Sequence, residues 1–178
     1  MNYGFMTLKA LLIDYNQFRK SMLQDCIMNV LDCDYKTAFA LGKKHCNLLS
    51  TWALLYCQEI YLKSYEEFFR ECLEKGICNK EGYFNIDKID IDGVHGVFTR
   101  LGVKCKITKY NLFPDDLKKN QFYQIAINGK HHFIATASAD DGNLYLFDTN
   151  DREYGAELFQ ALKDGDKITW IKKFEKAE

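Results

Sequence analysis

The chain is short of several things that would have identified its class at once. It has one proline in 178 residues, and its 24 basic and 25 acidic side chains nearly cancel, for a formal net charge of -1. Without a basic excess there is no electrostatic footprint for nucleic acid or for an anionic membrane surface. No window approaches the roughly 18 uninterrupted apolar residues that a membrane span needs. The start, "MNYGFMTLKALLIDYNQFRK", has no basic segment ahead of an apolar run and no small-residue cleavage site. It does not read as a signal peptide, and a cytoplasmic protein is the expectation. Repeats, low-complexity segments and Ser/Gly-rich linkers are lacking too. One domain over residues 1–178 is therefore predicted, with a helical half at about 1–102 and a sheet half at about 103–178.

Cysteine is plentiful, but cysteine pairs are not. The seven (Cys26, Cys33, Cys46, Cys57, Cys72, Cys78 and Cys105) are odd in number, scattered, and include no CxxC. Reduced thiols are expected, with neither disulfides nor a zinc site, since zinc ligands come in closely spaced pairs. No cofactor is implied. Asp140-Asp141 and Asn150-Asp151 read as turn formers, and "IDKIDIDG" lacks the downstream Glu of a calcium loop.

What is present is a core. Apolar residues make up 47% and aromatics 15%, enough for a packed globular chain. The first half has helical periodicity. Residues 7 to 31 place Leu8, Leu11, Leu12, Phe18, Met22, Ile27 and Leu31 at helical spacings, and a second helix starts near Asp34 as N-cap. "HCNLLSTWALLYCQEIYL" is apolar nearly all round and belongs in the middle of a core. In "SYEEFFRECLEKG", Ser64 and Glu67 form a capping box and Gly76 ends the helix. "DGVHGVFTRLG" is another short helix closed by Gly102, with His95 read as a satisfied helix histidine.

The second half changes period. "VKCKITKY", "QFYQIAI", "HHFIATAS", "NLYLFD" and "KITWIKKF" are short β-branched or aromatic runs between turn residues. A helix, "YGAELFQALKDG", precedes the last strand. Helices first and a mostly antiparallel sheet second is an α+β arrangement.

A thiol nucleophile needs a lowered pKa, a base within hydrogen-bond reach and a group to orient that base. Cys46 alone among the cysteines opens a buried helix, where the dipole favours a thiolate. His132 opens the strand "HFIATA" and Asp148 closes its partner "NLYLFD", joined by a turn at Asp141-Gly142-Asn143. The two positions lie at one end of a hairpin, so the carboxylate can accept from one imidazole nitrogen and leave the other for the thiol. By alternation His131 and His132 point to opposite faces, so only one can serve.

"HCNLLSTWALLY", the "HF" pair and the following Asp resemble the papain-like cysteine peptidases, in particular the compact bacterial branch that includes bacteriocin-leader-processing peptidases. The segment from "CNLLSTWALLY" through "GICNKEGYFNIDKIDIDGVHGVFTRLGVK" to "HHFIATA" and "FDTND" is also similar to a small family of papain-like proteins from spirochaetes and their phages or plasmids. The likeness covers residues 40 to 151. It implies a papain-like fold, a catalytic Cys46, His132 and Asp148, and a peptide or peptidoglycan-type amide as substrate. The alternative is a papain-like binding module or phage or plasmid accessory protein that lacks turnover. The chain departs from the pattern at position 40, where Ala stands for the Gln whose amide helps form the oxyanion hole. Asn47 replaces the usual Gly, and Thr149 the Pro that often follows the Asp. The remaining candidate donors are the Cys46 backbone N–H, the Asn47 side chain and His45. If position 40 is the missing donor, Ala40→Gln is expected to raise turnover.

Overall fold

The computed structural model describes residues 23–85, 97–129, 132–147 and 156–178. Its helices come first and its sheet second, an α+β fold. Helix α1, described over residues 23–31, buries Leu23, Cys26 and Ile27. Helix α2 (Tyr35–Gly42) starts where the Asp34 carboxylate accepts from Thr37 N at 2.8 Å. That cap satisfies one of the amide donors every helix start leaves open.

Helix α3 (Cys46–Cys57) is the hub. Of its residues only Asn47 and Tyr56 escape burial, as its all-round apolarity dictates. It packs on the sheet on one side and on α4 (Tyr65–Glu74) on the other. Leu48, Leu49, Leu54 and Leu55 are removed from water almost completely, each worth ~2 kcal/mol of transfer free energy.

The boundaries of α4 are local chemistry. Ser64 Oγ accepts from Glu67 N, and Glu67 Oε2 accepts from Ser64 N at 2.9 Å, which is the predicted capping box. At the other end Ile77 N donates to Cys72 O at 2.8 Å and Gly76 N to Leu73 O at 3.0 Å. This double closure needs a left-handed residue, which Gly76 supplies at φ +66. Short helix α5 (Val97–Leu101) follows and lays Phe98 edge-on to Phe174, with ring centroids 5.8 Å apart. His95 lies outside the described residues.

Among the described residues five strands, β1 (Cys105–Tyr110), β2 (Phe122–Ile127), β3 (His132–Ser138), β4 (Leu144–Phe147) and β5 (Ile168–Lys176), form one sheet in the order β1-β5-β2-β3-β4. Its ladders are antiparallel. The β3–β4 turn is the predicted one: Gly142 takes φ +76, Ala139 N donates to Asn143 O, and the Asp141 carboxylate accepts from Asn143 N. Helix α6 is a single turn (Leu158–Ala161), shorter than its sequence pattern suggested.

Alternation sorts the sheet into two faces. Phe122, Ala135, Ala137 and Phe174 face the helices and join the main core. Tyr123, Ile125, Ile127, Ile134, Leu144, Leu146 and Ile171 form a second cluster on the reverse side, covered by Leu158 of α6. No helix among the described residues is long and apolar enough to cross a membrane.

Candidate functional site

His45, the residue before helix α3, is fixed in place. The His45 ring is fully buried, with Nδ1 2.7 Å from Tyr65 Oη and the ring edge-on to Phe69 at 4.7 Å. Gly82 closes over it. A Cβ there would lie 2.8 Å from the ring, and the φ of +75 favours glycine in any case. The Asn79 carboxamide holds that turn by accepting from Glu81 N and Tyr83 N, both at 3.0 Å. Burial pushes the imidazole down to about 4, against a smaller opposing pull from the Lys80 backbone. The Lys80 carbonyl does not reach hydrogen-bond geometry, and Nε2 has no partner among the described residues. His45 is thus a neutral anchor in the core, and its burial removes it from the candidate oxyanion donors.

Cys46 is 7% exposed and packs with Ala126 and Phe133, with Trp170 against them. The Phe133 and Trp170 rings stand 5.5 Å apart. Four other thiols are shifted away from reactivity. Burial pushes Cys26, Cys57 and Cys105 up to about 12. Cys72 is raised further still, first by its contact with Cys78 and then by burial. Thiols held protonated make poor nucleophiles.

His132 occupies the first position of β3, as the sequence suggested, but its row is not the one beneath Cys46. The ladder pairs His132 with Ile127 and Phe133 with Ala126. Cys46 sits on the Ala126–Phe133 row, whereas Ile127 belongs to the reverse-face cluster. Strict alternation assigns His132 to the row of Ile134 and Thr136. This departs from the expectation that His132 faces the thiol along the strand. A thiol–imidazole pair at this strand end requires the ring to turn around the strand terminus. His131 and Asp148 lie outside the described residues.

At position 40 the structure differs from the expectation. Ala40 is exposed on α2, while Ala38 and Gly42 form the buried side of that helix. Two positions along a helix is about 200° of rotation, so a side chain at 40 is turned to solvent. The oxyanion donor that the resemblance places there has no counterpart, and Ala40→Gln is no longer expected to restore one.

A residue not singled out from the sequence stands under the first turns of α3 instead. Gln124, in the middle of the fully buried strand β2, is 2% exposed. Its Nε2 faces Ser50 Oγ at 2.7 Å, Asn47 Oδ1 at 3.0 Å, Thr51 Oγ1 at 3.1 Å and Asn47 O at 3.3 Å. The signal was available: one polar side chain inside "FYQIAI" has to find partners when the strand is buried on both faces. Among the described residues no group of His, Cys, Asp and Glu side chains is arranged to hold a metal ion. Compared with family models, curated proteins and solved structures, the chain finds no match in any of the three.

Proposed function

We propose that the chain is a papain-like cysteine peptidase or amidase acting on a peptide or peptidoglycan-type amide. The Cys46 thiolate attacks the carbonyl carbon, His132 carries the proton to the leaving amine, and Asp148 orients the ring. One observation supports the reading. Cys46 is the first residue of the central helix and rests on Phe133, the neighbour of His132, at the end of β3. A thiol at a helix start has the first-turn N–H groups at hand for a developing oxyanion.

The second reading, a papain-like binding module without turnover, is favoured by the row to which His132 belongs. One experiment separates the two. Iodoacetamide near pH 6, read by mass spectrometry, should mark Cys46 before the other six thiols, and Cys46→Ala should abolish hydrolysis of a peptide or peptidoglycan-fragment pool. His132→Ala and His131→Ala, measured side by side, identify the base. No hydrolysis and no preference for Cys46 in labelling would leave the binding module as the better description.

A further inference from the structure

We infer that the second oxyanion donor is the side-chain amide of Asn47, turned outward and held there by Gln124. The inference rests on the thiol reading above and deepens it. Of the two donors the sequence left open besides the Cys46 backbone, His45 is locked in the core, which leaves Asn47; position 40, an alanine, is turned to solvent. Asn47 follows Cys46 in the first turn of α3 and is one of two α3 residues that escape burial.

Its orientation is determined by a chain of hydrogen bonds. Ser50 Oγ donates to Asn47 O at 3.1 Å, so its single proton is used and it accepts from Gln124. With oxygens on α3 gathered around one nitrogen, the Gln124 amide has only one sensible orientation, Nε2 toward the helix. That nitrogen donates to Asn47 Oδ1 at 3.0 Å. An amide whose oxygen is held inward presents its NH2 outward, away from the buried network. The placement suits the task. Cys46 stands over Ala126 and Asn47 over Gln124, two positions apart on one row of β2. Gln124 does not reach the substrate; it positions Asn47.

Two reactions of Cys46 separate this role from a structural one. With 4-nitrophenyl acetate the sulfur forms a bond to the carbonyl carbon, and the carbonyl electron pair moves onto oxygen. The oxyanion then collapses and expels 4-nitrophenolate with its electron pair, while the thiol proton passes to the base or buffer. With iodoacetamide the sulfur displaces iodide directly and no oxyanion forms. Asn47→Ala should slow acylation by about 10²-fold, the usual loss of one such donor, and leave alkylation nearly unchanged. Gln124→Glu places only acceptors beside Asn47, so the Asn47 NH2 turns inward and acylation falls in the same way with Asn47 intact. Should that variant not fold, Gln124→Met frees the amide and is expected to give a smaller loss. Acylation at the wild-type rate in Asn47→Ala would overturn the donor assignment and leave the thiol reading standing. So would an equal fall in both reactions, which marks a structural role. A wild-type Cys46 that neither alkylates nor acylates overturns both.

Discussion

His45 shows how one buried residue can govern both the shape of a site and its response to pH. Its neutral ring is wedged between Tyr65, Phe69 and Gly82, and burial pushes it from an ordinary 6.5 to about 4. The unfolded chain binds the proton more readily, so stability is complete above about pH 6.5 and falls as pH drops toward 4. The loss should reach about 3 kcal/mol. Glu71 does not obscure that window. Burial works against its carboxylate, yet hydrogen bonds from Lys75, Tyr61 and Lys63 hold it at about 2, so its own contribution is lost only below its ordinary 4.5. Urea unfolding at pH 7.5, 6 and 4.5 should show the midpoint falling through this range, and His45→Gln should flatten the slope. An unchanged midpoint between pH 7.5 and 4.5 would contradict the neutral-anchor account.

At the scale of elements, α4 matters because it carries both Tyr65 and Phe69 against His45. Its capping box lies immediately before Tyr65, so loosening the cap loosens the wall of the anchor. Ser64→Ala should cost about 1 kcal/mol in thermal or urea unfolding. The far end of α4 is tied to α5, where Lys75 Nζ donates to Arg100 O at 2.9 Å. Elements such as this were legible because their signals are local: Ser64 and Glu67 three residues apart, Asp34 before Thr37, Gly142 between Asp141 and Asn143. Helix α6 is shorter than its sequence pattern predicts for a related reason. Of its residues only Leu158 is buried, and a helix with no apolar stripe to bury has little to extend it beyond one turn.

The whole molecule is held together by its last strand. β5 lies between β1 and β2 and pairs with both, while Ile171 and Phe174 on its two faces enter the two opposite clusters. Deleting residues 167–178 should therefore cost the folded state, and not just an edge. The truncated chain is expected to lose near-UV circular dichroism and its cooperative urea transition; a native-like spectrum would refute the role assigned to β5. By itself the sequence determined the α+β order, the five strands, the caps and turns, and Cys46 as the start of the apolar helix, because hydrophobic period and capping chemistry act over a few residues. Tertiary structure alone decided which side chains meet. The hairpin pattern predicts His132 opposite the thiol; facing depends on a strand's register with its neighbours, and here β3 pairs His132 with Ile127, one position on from the Ala126–Phe133 pair that touches Cys46. Ala40 stands at the expected distance before Cys46 along the chain, yet the winding of α2 turns it to solvent. Gln124 and Asn47 are 77 residues apart, and only the packing of α3 on β2 brings their amides together.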